Sequence, residues 1–276
     1  MEENKPQRYI HGMRDSLAPL VRADTLRMAK RTGTGHLGPA LSIVELLVTL
    51  YFDYLHIDPK RPDDAERDRF ILSKGHGCMA LYATLAHRGF FPVAELETYL
   101  ADGSRLPGHP SSKILPGVDF STGSLGHGLG VGAGIALSGK LSGADYRTVV
   151  LISDGECDEG STWEAVLAAA HWKLNKLTCI VDYNKIQSFG RTVDVMNLEP
   201  FADKWKAFQW HVQEVDGHDP ACIAAALRVA DKETERPSVI IAHTIKGKGL
   251  SDLEDTVDSH YLPLTEEQYR RSIAAS

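Results

Sequence analysis

The sequence predicts an α/β protein: a three-layer α/β/α sandwich around a mainly parallel sheet. Three observations lead there. From Arg147 onward, short apolar runs alternate with helical patterns, the rhythm of a parallel sheet covered on both faces. The 276 residues can bury a sizeable core, and 43% hydrophobic with 24% charged residues is an ordinary globular composition. No repeat, linker or composition shift divides the chain, so one domain is expected.

In order along the chain, residues 1–12 are polar and read as a loose arm. Helical patterns follow over Arg14–Lys30 and Ala40–Leu55. The second contains LSIVELLVTLYFDYL, apolar nearly all round, and is expected in the core. RFILS (Arg69–Ser73) is a short strand candidate. CMALYATLAHRG (Cys78–Gly89) reads as a helix ended by glycine. Loops rich in Pro, Gly and Ser run from Asp102 to Leu125, then comes a Gly/Ala-rich helix, GHGLGVGAGIALSGKL. In the alternating half, RTVVLI, LTCIVD, WHVQEV and SVIIAHT are strands. STWEAVLAAAHWKL, FADKWKAF and ACIAAALRVADK are the helices between them.

Thirty basic and 37 acidic residues give a net charge of -7, with the basic ones dispersed, so no nucleic-acid partner is expected. Cys78, Cys157, Cys179 and Cys222 are scattered without CxxC spacing, which signals neither a disulfide framework nor a zinc site. No N-terminal segment resembles a signal peptide, and no run approaches the ~20 apolar residues of a membrane span. The expectation is a cytoplasmic protein with no membrane partner.

The densest chemistry lies in LISDGECDEGSTWEA, where Asp154-Gly155 follows a strand and Glu156, Asp158 and Glu159 crowd behind. Carboxylates this close repel each other, and one cation would account for at least one of them. The next strand runs out at Asp182-Tyr183-Asn184-Lys185-Ile186. If the two strands are neighbours, Asp154 and Asn184 open on one edge of the sheet, where α/β ligands bind, although 30 positions apart (184 minus 154). One carboxylate, one carboxamide and a backbone carbonyl suit a hard cation but do not complete its shell. Mg²⁺ held so sparsely takes its other ligands from phosphates and water. The plain alternative is an Asp-Gly turn and an Asn helix cap.

GLGVGA (Gly128–Ala133) fits the dinucleotide fingerprint but lacks its context. A loop precedes it, and the region ~20 residues on is apolar strand where an acidic residue is needed. Its glycines read as close helix packing and backbone approach to a cofactor ring. Of twelve histidines, His36, His76, His109, His127 and His260 sit in loops bearing Gly or Pro, where imidazole can donate to phosphate or sugar hydroxyls and move protons. His11, His56, His87, His171, His211, His218 and His243 read as ordinary solvated side chains.

SDGECDEGSTWEA followed by VDYNKIQ resembles the thiamine-diphosphate motif, an Asp-Gly with Asn about thirty residues on. TGTGHLGPALS, SKGHG, PGHP, STGSLGHGLG, SDGECDEG, VDYNKIQ and DSHYLPL stand in the order found in transketolase. From about Arg14 to Leu264 the chain resembles the N-terminal half of that family. The resemblance implies a thiamine-diphosphate-binding domain over 13–264, with 265–276 as a tail. It implies Mg²⁺ (or Ca²⁺ or Mn²⁺ in its place) on Asp154, the Asn184 side chain and the Ile186 carbonyl. Gly155 and His76 would contact the diphosphate, with Lys246 and His260 near it. Gly123, Ser124 and Leu125 would line the aminopyrimidine. His36, His109 and His260 would surround the substrate's reacting carbonyl and hydroxyls, and Glu159 would lie near a subunit interface. His127 stands where relatives often carry Gln, and Ser153 where they more often carry Gly.

In that family a second module grips the aminopyrimidine and supplies a glutamate. Only TEEQYRRSIAAS follows Leu264, so the chain reads as one subunit of a split transketolase. A separate C-terminal subunit would be its partner, in an assembly of two copies of each. The expected reaction moves a two-carbon ketol unit from a ketose phosphate to an aldose. The alternative is the alpha subunit of a 2-oxo-acid dehydrogenase, which shares the Asp-Gly…Asn motif. The TGTGH, PGHP and DSH histidines favour transketolase, because a decarboxylase has no polyhydroxy substrate to grip.

Overall fold

A computed structural model describes residues 13–250 and 252–274; the expected N-terminal arm, 1–12, lies outside them. Five parallel strands form the central sheet: β1 (Arg69–Leu72), β2 (Thr148–Ser153), β3 (Leu177–Tyr183), β6 (His211–Asp216) and β7 (Ser238–His243). Their spatial order is β1-β2-β3-β7-β6, with Ser153 opposite Asp182 and Tyr183 opposite His243. A two-stranded antiparallel hairpin, β4 (Ile186–Gln187) with β5 (Gly190–Arg191), stands apart after β3.

Alternation along the strands makes the three layers. Val149 and Leu151 of β2, Ile180 of β3 and Ile240 of β7 join one core cluster. Their neighbours Val150, Ile152, Cys179, Val181, Val239 and Ile241 join the other. Successive strand side chains point to opposite faces, so buried strands need apolar residues at every position. β2 and β3 are buried throughout, whereas the edge strand β6 is only partly covered, matching its more polar sequence.

The first face is covered by α1 (Met13–Thr32), α2 (Leu37–Leu41), α3 (Val44–Thr49), α4 (Cys78–Arg88) and α9 (Pro220–Ala230). The second is covered by α5 (Gly128–Ser142), α6 (Gly160–His171) and α8 (Phe201–Ala207). Short helices α7 (Thr192–Val195) and α10 (Asp258–Tyr261) complete the loops, and α4 ends at Gly89 in the left-handed region (φ 97°). Gly132 of α5 leaves no room for a Cβ against Val150, so this helix lies directly on β2. The GLGVGA glycines therefore serve packing at this point.

Two expectations change. The Ala40–Leu55 helix is in three pieces, α2, α3 and a π-helical turn over Leu50–Tyr54. At the break, the Ser42 hydroxyl is drawn to the Pro39 carbonyl (3.0 Å) and to Asp182 (2.7 Å). The run Leu37–Tyr54 is long and apolar enough by composition to cross a membrane, but 83% of it is buried in the core. The stretch assigned to a tail carries α11 (Glu266–Ala274), whose Tyr269 and Ile273 pack on the core beside α1.

Candidate active site

Because the sheet is parallel, β1, β2, β3 and β7 all release their chains at one edge. Leu72 leads to Ser73-Lys74 and the turn Gly75–Gly77; Ser153 leads to Asp154-Gly155; Tyr183 leads to Asn184; His243 leads to Thr244 and Lys246. Lys74, His76, Leu125, Asp154, Gly155, Asn184, Ile186, Lys246 and His260 line one cavity there. Gly75 makes room for the neighbouring loop: a Cβ on it would stand 2.6 Å from the Thr122 hydroxyl.

β2 and β3 are neighbours, so the two distant turns do meet. Asp154 accepts hydrogen bonds from the Gly155 amide (2.7 Å) and the Lys185 amide (2.5 Å), stitching one turn to the other. Lys185 is left-handed there (φ 66°). Asn184 donates from Nδ2 to Asp182 (3.0 Å) and accepts the Ile186 amide on Oδ1 (3.0 Å). The Ile186 carbonyl accepts from Lys246 Nζ at 2.9 Å.

Asp182, near the end of β3, is buried and central. It accepts from Lys74 Nζ, the Thr244 hydroxyl, Ser42 Oγ and Asn184 Nδ2. Burial alone would raise its pKa, but the Lys74 charge and these donors hold it below the usual carboxylate range. The SKGHG lysine thus has a partner 108 positions away (182 minus 74) that pattern reading did not supply.

Four of the five loop histidines converge. His36 lies 5.5 Å from His76, 6.2 Å from His109 and 5.1 Å from His260, ring centre to ring centre. The His36 amide donates to the His260 carbonyl (2.6 Å), fastening the first loop to the last. Lys246 Nζ lies 2.9 Å from His260 Nδ1, which accepts and leaves the imidazole proton on Nε2. Burial and nearby positive charge push His260 down to about 3 and His36 and His76 down as well, so all three are neutral at pH 7. His127 stays outside this group, exposed and bonded to the Leu125 carbonyl.

The remaining acidic residues of the Asp-Gly motif separate. Glu156 is buried and accepts from Ser73 Oγ, the Gly126 amide (2.9 Å) and the Ser153 amide (3.4 Å). Ser73 in turn accepts the Gly128 amide at the start of α5 (3.1 Å). Glu156 therefore ties the ends of β1 and β2 to the 123–126 segment. Ser153 joins the same network by accepting the Glu156 amide (3.2 Å). Asp158 is exposed and accepts from Gln187, and Glu159 is exposed beside Gly126. Of the expected aminopyrimidine segment, Leu125 lines the cavity, Gly123 lies against the His109 ring and Ser124 is exposed.

His218 departs most from expectation. It is enclosed between α3 and the 245–249 loop, its Nδ1 2.9 Å from Glu45 and its Nε2 accepting the Ile245 amide at 2.8 Å. Its Asp216-Gly217 approach is a local turn that the sequence displays, but the destination is tertiary.

The charges tell what the cavity lacks. Asp154 is buried, and burial together with Asp182 pushes its pKa up to about 6. Lys246 is buried, and burial together with Lys74 pushes it down to about 8. Among the described residues neither touches an opposite charge, and buried charges without partners are costly. A cation beside Asp154 and an anion beside Lys246 would satisfy both, which fits a metal-bound diphosphate. Among the described residues no group of three His, Cys, Asp or Glu gathers around a metal position, so Asp154, Asn184 and the Ile186 carbonyl would need phosphate and water to fill a shell.

Parallel strands with a polar cavity at their carboxyl edge, lined by a buried lysine and a buried aspartate, define an α/β protein with a ligand site at its strand ends. The chain belongs to the transketolase family: the model of its thiamine-diphosphate-binding domain matches residues 13–274. It is 44% identical over 257 residues to a 6-deoxy-6-sulfo-D-fructose transketolase subunit of a Clostridium species, covering 93% of this chain and 94% of that one. It is 43% identical over 239 residues to an apulose-4-phosphate transketolase subunit of Phocaeicola vulgatus, covering 87% and 85%. Solved transketolases share the fold: one from Pichia stipitis superposes with a TM-score of 0.90 at 30% identity and one from Leishmania mexicana with 0.86 at 32%. The chain spans 40% of each of those two structures.

Proposed function

We propose that this chain is the diphosphate-side subunit of a two-component transketolase, transferring a two-carbon ketol unit between sugars with thiamine diphosphate and Mg²⁺. The observation that carries this reading is the pair of buried charges, Asp154 and Lys246, that face one cavity without an ion pair of their own in a member of the transketolase family. Asp154, Asn184 and the Ile186 carbonyl would hold the metal, and Gly155, His76 and Lys246 would face the diphosphate. Thiamine diphosphate supplies the electron sink that cleavage beside a carbonyl requires. His36, His109 and His260, held neutral, would orient a polyhydroxy substrate and exchange protons with its oxygens. This gathering of histidines, and relatives named as transketolases, argue against the 2-oxo-acid dehydrogenase alternative.

Both relatives described above carry the word subunit in their names, one tied to a sulfosugar and one to a sugar phosphate. We extend from them the class, an anionic ketose donor, and a separate second subunit, in an assembly of two copies of each. Phe189, 82% exposed, follows directly on the cavity residues Gln187 and Ser188, and exposed Val193, Val195 and Met196 come soon after, apolar surface suited to a second chain. The deciding experiment is calorimetric titration of thiamine diphosphate, with and without Mg²⁺, into the enzyme assembled from both subunits. Asp154→Ala should abolish the Mg²⁺-dependent part of the affinity while the circular dichroism spectrum is retained; unchanged Mg²⁺ dependence would overturn the metal assignment.

A further inference from the structure

Lys246 is the only described cation that reaches the Ile186 carbonyl and His260. Main-chain bonds hold its loop on the far side, Asp255 N–H to the Lys246 carbonyl (2.8 Å) and Gly247 N–H to the Gly38 carbonyl (3.0 Å), which leaves the Ile245 side to be held by side chains. Its own loop is short of regular structure: Gly247 is left-handed (φ 75°), and Lys246 lies between β7 and α10, outside any helix or strand. Two side chains from elsewhere in the fold grip it, Arg22 and His218, joined by Glu45. Arg22 on α1 donates to Glu45 on α3 and to the Lys248 carbonyl. Glu45 contacts His218 Nδ1 (2.9 Å), and His218 Nε2 accepts the Ile245 amide (2.8 Å). These side chains are 9%, 12% and 13% exposed for Arg22, Glu45 and His218, so the chain of contacts is shielded from water.

The hydrogen bonds fix the protonation of His218. A ring nitrogen accepting an amide N–H carries no proton, so the imidazole proton is on Nδ1 and is given to Glu45. Glu45 in turn accepts from Arg22 through its other oxygen. The three residues thus form a directional relay that ends on a backbone amide one position from Lys246. Gly217 permits the approach, since a Cβ there has no room beside the Thr244 methyl.

We propose that His218 is a positioning residue for the cofactor site, acting through the Ile245 amide to hold Lys246 in the cavity, with Glu45 and Arg22 fixing its tautomer. The proposal rests on the reading of the cavity as a thiamine-diphosphate site. The two ring nitrogens can be separated by substitution. His218→Gln keeps an acceptor at the reach of Nε2, and His218→Asn keeps a donor at the reach of Nδ1.

Hydrogen exchange of the 245–249 amides in the protein without ligand reads the grip directly. Calorimetry with thiamine diphosphate and Mg²⁺ reads its consequence. Loss of one buried hydrogen bond should speed exchange at Ile245 and weaken cofactor binding about tenfold in His218→Asn. In His218→Gln both should stay within about threefold of wild type. A purely architectural histidine would give equal binding losses in the two variants, and that result, or unchanged Ile245 exchange in His218→Asn, overturns the proposal. His218→Leu, which fills the space without an acceptor, replaces His218→Asn if the latter does not fold, with the same expected losses. Absence of thiamine-diphosphate binding by the wild type assembled with its second subunit would overturn the reading of the cavity and this inference together. Binding by the wild type with equal variant losses would overturn only the inference.

Discussion

At the scale of single residues, the cavity is a set of groups held away from their ordinary ionisation states. His260 stays neutral in the fold down to about pH 3, whereas an unfolded histidine takes up a proton near 6.5. The unfolded chain therefore binds more protons below 6.5. His260's contribution is intact above that pH and falls away as pH drops toward 3, at about 1.4 kcal/mol per unit. His36 and His76 shift in the same direction and add to the loss. Asp154, pushed up to about 6, works in the opposite sense over the same interval, so the reading is the difference between wild type and variant in urea unfolding at pH 7.5 and 5.5. His260→Gln should lose about 1 kcal/mol less over that interval; an identical change would remove His260 from the account. The motif residues Asp154, Asn184, His36 and His260 were legible because their types and spacing carry chemistry. Glu156, Asp182 and His218 were not, since their roles consist of hydrogen bonds to residues remote in sequence. Glu156 stood out only as an unexplained carboxylate, and the Ser73 and Gly126 donors explain it.

At the scale of elements, the strand ends do the work, and their chief fastening is the Lys74–Asp182 pair linking the ends of β1 and β3. Both side chains are buried, so removing one charge strands the other. Lys74→Met should destabilise by about 3–5 kcal/mol in denaturant titration, the usual result of orphaning a buried ion. Adding Asp182→Asn should recover about 1 kcal/mol or more, because the stranded charge disappears while an acceptor remains. No recovery would mean that the aspartate is held mainly by Ser42 and Thr244. The strands and long helices could be read from apolar runs and glycine stops, because burial dictates their composition. The break at Ser42–Ile43, the β4–β5 hairpin and α11 could not. The first is set by Asp182 across the core, the second spans two residues per strand, and the third is amphipathic but short.

At the scale of the whole molecule, the cavity lies at one edge of the sheet, and exposed Phe189, Val193, Val195 and Met196 follow its lining residues in sequence. The chain spans 40% of the solved transketolases that it resembles. A mass-verified preparation of the chain alone should show no ketol transfer, and activity should appear on mixing with its second subunit. Turnover by the chain alone would refute the two-component reading. The single direction of the five strands has another use. Every turn that enters a strand lies at the opposite edge, remote from the cavity, and the turn before β7 is exposed at Thr234–Arg236. That turn is a natural place to open the chain: a fluorescent domain inserted between Thr234 and Glu235, or new termini made there by circular permutation, would leave all four ligand-facing strand ends as they stand.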